Sequence, residues 1–338
     1  MPTKIARIFA SSLTFTLMLA LCLGTQPACN LVHKSVEIEK LLTPLAEADT
    51  PQLIEMVNKL VGPRSLRAKV DIQFEDTSFA TAGIAEKYRS ADGTIIVQRP
   101  GKVYLIVQGP LALGDIAHMT SDGEHFRIAI LKGDEKYKRF VRGTNAAVYS
   151  KLDGSNDAPM KGKAKTEIQT VKALSNLRPQ HLTDALLIRP IDLHATAIVY
   201  ARSEFFQSEK DTASNKRVVR GYYFLDELQT LGDGSARLLR RFWFNRVNAV
   251  QFARLQTFDE HGALTTDVSY ADFKPVGEQA VTLPTKIGLT RPQDHYQLSI
   301  TYQSPESAIL DKEYQPEVFV LENKWNLPEV DLDAPKKP

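Results

Sequence analysis

Between Leu66 and Glu75 the side chains alternate without a break. Leu66, Ala68, Val70, Ile72 and Phe74 are apolar, while Arg67, Lys69, Asp71, Gln73 and Glu75 are charged or polar. A period of two puts each set on its own face of an extended strand, and a helix would mix them. The stretch is thereby committed to a half-buried strand with Val70 and Ile72 facing inward. Such a strand needs neighbours to pair with and a layer to cover its apolar face.

The neighbours follow in the sequence. Thr94–Gln98 and Lys102–Gln108 are separated by Arg99-Pro100-Gly101, and Asp115–Thr120 and Glu124–Leu131 flank the hairpin signal Asp122-Gly123. Tyr137–Val141 precedes Arg142-Gly143. A longer series comprises Ala195–Arg202, Arg217–Leu225, Ala236–Phe244, Val250–Phe258, Leu264–Phe273, Leu283–Leu289 and Tyr296–Tyr302. Turns at Gly232-Asp233-Gly234 and Asp259-Glu260-His261-Gly262 lie between them. Strands this closely spaced imply an antiparallel meander, because a parallel crossover needs a dozen or more residues.

Two stretches have helical spacing. Val36–Leu60 carries it, broken near Pro44; Thr50 reads as an N-cap, with Pro51 at the first helical position and Leu53, Ile54, Val57, Leu60 and Val61 on one face. Gly62-Pro63 ends that helix. Ile168–Leu187 is the second, interrupted at Arg178-Pro179, with Leu182, Leu186 and Leu187 in its latter part. Residues 150–165 read as an exposed polar loop, and the prolines between 305 and 338 as an extended tail.

The N-terminus has the order of a secretory signal peptide. Lys4 and Arg7 precede an uncharged apolar run, Ile8–Leu23, which Gly24 to Ala28 then breaks. That run has 16 residues, short of the ~20 that span a bilayer core. Two processing routes compete. Ordinary cleavage after Ala28 has Gln26 at an unfavourable place. Lipidation has Cys29 directly after the small Ala28, although Gln26-Pro27-Ala28-Cys29 lacks the usual Leu. The placing of the apolar run, and Cys29 being the lone cysteine that remains, favour lipidation, which anchors stably through two or more acyl chains. Cys22 lies within the apolar run and suits neither route.

Composition narrows the classes. With 43% hydrophobic and 24% charged residues the chain is of globular type. Lys4 and Arg7 are the only charges before residue 29, so the remainder carries 40 of each sign, which is no argument for a nucleic-acid partner, since that would need a basic face. Two cysteines exclude a disulfide scaffold and a multi-cysteine zinc site. There is no G-x-S-x-G elbow, Walker A loop, G-x-G-x-x-G fingerprint or H-E-x-x-H motif. His118 and His125 flank the Asp122-Gly123 turn and would face each other across a hairpin, but a metal needs a further ligand. No catalytic residue, metal or cofactor is expected, and the chain reads as a non-enzyme.

Aromatics recur on the late strands. Phe242 and Phe244 share one face and Trp243 the other, with Arg240, Arg241 and Arg246 placed to snorkel at a rim. Packing beneath a helix accounts for this pattern, and so does an apolar cavity within a strongly curved sheet. In the cavity reading, Leu53, Val57, Phe242 and Phe244 line one dry space.

The order of these parts resembles a family. A signal segment and amphipathic helix lead into Leu66–Glu75. They are followed by Lys102-Val103-Tyr104-Leu105, the hairpin Ser121 to Phe126, and the insert Leu177-Arg178-Pro179-Gln180-His181-Leu182. The late hairpin Phe252 to Gly262 then leads into Val268-Ser269-Tyr270-Ala271-Asp272-Phe273 and Leu283-Pro284-Thr285-Lys286-Ile287. This is similar to the LolA/LolB-like superfamily of bacterial lipoprotein carriers and outer-membrane lipoprotein-sorting proteins. The resemblance implies a mainly β, α+β fold: a strongly curved antiparallel sheet, an unclosed half-barrel, with helices plugging its concave face. It divides the chain into a signal peptide (1–28), a lipid-anchor linker (29–34), the curved-sheet domain (35–325) and a Pro-rich tail (326–338).

It also implies a membrane-anchored envelope lipoprotein of a Gram-negative-type bacterium, on the outer membrane facing the periplasm, or else a soluble periplasmic protein. The expected ligand is an acyl chain or a lipoprotein. The alternative is an envelope scaffold or sensor with a filled core and a protein partner.

Overall fold

The structure is a computed structural model that describes residues 39–77, 86–87, 90–109, 114–132, 135, 138–145, 147, 178–211 and 214–334. The signal segment, Cys29, the linker, the loop at 150–165 and the stretch 168–177 lie outside the described residues.

In chain order the first elements are β1 (Lys40–Leu41), α1 (Thr50–Leu60), β2 (Ser65–Asp76), β3 (Glu86–Lys87), β4 (Ala91–Gln98), β5 (Lys102–Gln108), β6 (Asp115–Ser121), β7 (His125–Ile130) and β8 (Arg139–Thr144). Helix α2 (Pro179–Leu186) follows, then β9 (Ile198–Lys210), β10 (Arg217–Thr230), β11 (Ala236–Asn245), β12 (Gln251–Phe258), β13 (Leu264–Val276), β14 (Val281–Arg291) and β15 (Tyr296–Tyr302). The short strands β16 (Ile309–Leu310) and β17 (Glu329–Asp331) complete the series.

One curved, unclosed sheet contains all the strands. Its late half runs as a meander from β9 to β15, and its early half from β4 to β8. β2 joins the halves, antiparallel to β15 on one side and to β4 on the other. Its alternation is as the sequence predicts: Leu66, Ala68, Val70, Ile72 and Phe74 are all buried, while Arg67, Lys69 and Gln73 are exposed. Gly93 of β4 sits where a side chain would not fit, because a Cβ there would lie 2.8 Å from the Ile106 carbonyl oxygen. Register shifts interrupt four antiparallel pairs, at Val107/Gln108, Glu227/Leu228, Trp243/Phe244 and Thr257/Phe258. Each such bulge bends its strand and adds twist, which curls so long a meander.

Both helices lie on the inner, concave face. The N-cap of α1 is Asp49, one residue before the expected Thr50. Its carboxylate accepts from the Gln52 N–H at 2.9 Å, and the Gln52 side chain accepts from the Asp49 N–H at 2.8 Å. This reciprocal capping box satisfies two donors, one more than a single Thr hydroxyl accepts. Leu53, Ile54 and Val57 turn inward, and α1 rests on β9 and β12. From Glu39, where the described residues begin, the helical spacing expected upstream of Pro44 is not realised: Lys40–Leu41 pairs in parallel with β10 and the chain stays non-helical to Asp49. Pro179 begins α2, and the preceding Arg178 is extended, as a residue before proline tends to be. This helix packs against β5, β6 and β14.

The sheet's outer face is covered differently in its two halves. Across β4 to β8 runs the segment after β16. Gln98 donates to the Tyr314 carbonyl at 3.3 Å, Phe319 is fully buried with Ile96 and Tyr314, and β17 ends the segment in parallel with β8. The outer face of β10–β12 instead carries a small aromatic cluster of Tyr222, Phe224 and Trp243.

Candidate functional site

The concave face is the only extensive apolar surface the fold builds among the described residues, and Phe242 and Phe244 sit in it. Strand alternation sends them inward while Trp243 joins the outer cluster, as expected. An aromatic row crosses three strands, with ring centroids 5.6 Å apart for Phe244–Phe252 and 5.0 Å for Phe252–Tyr270. Leu53, Val57, Phe242 and Phe244 are each 0% exposed and belong to one hydrophobic cluster. The space that remains is small. A cleft of about 30 Å³ lies beside α2, bounded by Leu60, Leu66, Leu186, Tyr270, Leu283 and Tyr302. Pockets for drug-sized ligands run to roughly 300–1,000 Å³, so this cleft does not accommodate an acyl chain unless the helices move.

Polar groups fix the covering segments to the sheet. The Arg202 guanidinium donates to the Ala48 carbonyl at 2.5 Å, and Arg246 to the Ala46 carbonyl at 3.1 Å, which holds the approach to α1. Arg99 donates to the Pro63 carbonyl at 3.2 Å, after that helix. Beyond α2, Arg240 donates to the carbonyls of Arg189 at 2.9 Å and Pro190 at 3.3 Å. Arg240 and Arg246 therefore do not snorkel at a rim. They are 7% and 5% exposed, and are paired with Glu227 at 2.5 Å and Glu204 at 2.6 Å. Burial without a carboxylate would be prohibitive for these cations, so the partners come with the site. Arg241 points to the outer face and is bound to Asp226 at 2.6 Å.

Helix α2 is held by two interior hydrogen bonds. Tyr270 donates its hydroxyl to the Ala185 carbonyl at 2.9 Å, and Nδ1 of His181 lies 2.6 Å from the Tyr296 hydroxyl. Burial first, then the nearby Arg291 and Arg178, lower the His181 pKa from 6.5 to about 3, so the imidazole is neutral. Burial likewise raises the phenol pKa of Tyr270, Tyr296 and Tyr302. The sequence shows His181 only as part of the insert Leu177 to Leu182, and its partner Tyr296 lies over a hundred residues away.

His118 and His125 do not face each other. Across the β6–β7 pair His118 opposes Ala129, and across β7–β8 His125 opposes Thr144. His118 is buried 2.7 Å from Asp115 with the Trp325 ring 5.1 Å away, and among the described residues no group of three or more metal-ligating side chains assembles.

No family model matches the chain, and no curated protein matches it. Among solved structures it is similar to a LolA superfamily protein from Nitrosomonas europaea, at 10% identity over 81% of this chain and 99% of that one, with a TM-score of 0.39. An outer membrane lipoprotein-sorting protein domain from Vibrio parahaemolyticus gives 10% identity, 80% and 94% coverage and a TM-score of 0.37. A DUF1329 family protein from Desulfovibrio piger gives 12%, 80% and 95%, and 0.31.

Proposed function

We propose that this chain is a non-enzymatic envelope lipoprotein, anchored through acyl chains on Cys29, whose apolar interior takes up the acyl chain of a lipid or lipoprotein. A role in outer-membrane lipoprotein sorting fits this reading. The observation that carries it is the concave face itself: an apolar surface spanning both halves of the sheet, on which, among the described residues, two short helices rest. An acyl chain would enter as α2 shifts outward from the cleft, exchanging water for apolar walls at ~0.8 kcal/mol per buried methylene.

Native mass spectrometry of protein extracted from membranes, together with titration of a fluorescent fatty acid, tests the proposal. Co-purified acyl lipid and saturable binding that weakens in a folded Phe244→Asn variant are the expected results. Absence of both would refute it. The second reading, an envelope scaffold or sensor, is favoured by the close packing of Leu53, Val57, Phe242 and Phe244, and would be upheld by that negative result.

A further inference from the structure

The sheet ends at β9, which pairs with β10 along its whole length and with no other strand among the described residues. Its 13 residues present a free edge about 40 Å long. Native proteins blunt such edges with proline, bulges, brevity or charges, and of these β9 has only charges, of both signs. The opposite edge follows that practice, since β17 has three residues. β9 has neither proline nor glycine, and its register with β10 runs without a shift. It also displays Val199, Phe205 and Phe206, which are 49%, 39% and 47% exposed.

The order of residues along this edge is self-complementary about Ser203. Consider an antiparallel copy related by a two-fold axis through that residue. Arg202 then lies opposite Glu204, Ala201 opposite Phe205, and Tyr200 opposite Phe206, each pair occurring twice. Opposite charges and paired aromatics are among the cross-strand combinations that stabilise sheets. Moving the axis by one residue in either direction sets Arg202 against Arg202, or Glu204 against Glu204. Like charges directly opposed are unfavourable, so the charges disfavour both neighbouring registers. Arg202 and Glu204 lie on the same, inner face of the strand, where both are exposed enough to reach a partner while keeping their bonds to Ala48 and Arg246.

We propose that β9 is a homodimerisation edge, joining two copies into one continuous sheet through an isologous antiparallel β9–β9 pair centred on Ser203. The test uses the full chain in mild detergent, carrying Cys22→Ala and Cys29→Ala so that an introduced thiol is the only one. Ser203→Cys places two sulfurs across the axis within disulfide reach, whereas Ala201→Cys or Phe205→Cys places them roughly 13 Å apart.

Oxidation is expected to yield a reducible dimer with Ser203→Cys and little with the other two. Light scattering of the parent should give twice the chain mass. Glu204→Arg should dissociate it, and the exchange Arg202→Glu with Glu204→Arg should restore the dimer. A monomer at the highest soluble concentration would overturn the proposal. So would equal cross-linking at positions 201, 203 and 205, or an edge occupied by another protein or by a segment of the same chain.

Discussion

Acidification should loosen α2 through His181. In the folded protein the ring is buried against Tyr296, with Arg291 and Arg178 nearby and Asp294 the opposing charge, and its pKa is lowered to about 3. In the unfolded chain it titrates near 6.5. The folded state therefore resists a proton that the unfolded state accepts. The associated stability is complete above pH 6.5 and declines as pH falls from 6.5 towards 3. The decline is about 1.4 kcal/mol per pH unit, so at pH 5 the loss amounts to roughly 2 kcal/mol. Urea unfolding of the wild type and of His181→Leu at pH 7.5 and pH 5 measures it. The variant leaves the Tyr296 hydroxyl unpaired and should be weaker at both pH values, but that deficit does not change with pH. Other titrating groups are shared and cancel in the comparison. The wild type should lose roughly 2 kcal/mol more than the variant between the two pH values. Equal losses would refute the reasoning, because they would mean that the ring is hydrated and titrates as in the unfolded chain.

Other outcomes follow from the same structure. Val70→Asp buries an unpaired carboxylate at a fully enclosed site and should cost several kcal/mol, while Gln73→Asp on the exposed face should stay within about 0.5 kcal/mol; thermal melts of the two variants check the register. Arg240→Met leaves Glu227 buried without its cation and should cost about 3–5 kcal/mol, whereas the double change with Glu227→Leu should recover most of that loss in denaturant titrations. Phe319→Ala removes a fully buried ring from beneath the C-terminal segment and should cost about 3–5 kcal/mol, with amide exchange rising first in β17. Cys29→Ala should move the protein from the membrane to the soluble fraction, and an unchanged processed mass in the membrane fraction would exclude lipidation.

Much of the fold is legible in the chain because sheet periodicity is a local property. Leu66–Glu75 alternates, and β2 alternates in burial over the same residues; Lys102–Gln108 and Tyr296–Tyr302 have the bounds the sequence predicts. The separation of Phe242 and Phe244 from Trp243 is equally local, since neighbouring residues of a strand point to opposite faces. β9 was harder to delimit: the sequence suggests Ala195–Arg202, but the strand runs from Ile198 to Lys210. Its second half is largely exposed and does not alternate, and it is extended because β10 pairs with it, a condition that no pattern within it displays.

The candidate site divides along the same line. Leu53, Val57, Phe242 and Phe244 come from helical and strand spacing, and each is buried where that spacing puts it. How tightly they pack, and how little space remains beside α2, depends on curvature that bulges in four strand pairs introduce together. The joining of β2 to β15, more than 220 residues later in the chain, likewise has no local signal. The buried Arg240–Glu227 and His181–Tyr296 pairs arise only after the strands are assembled, because a charge or imidazole finds its partner in three dimensions. Sequence determines which face of each element is apolar, since side-chain direction is set by backbone period. Tertiary structure decides which apolar faces meet and which polar groups must be paired when they do, because burial is a property of the assembled chain.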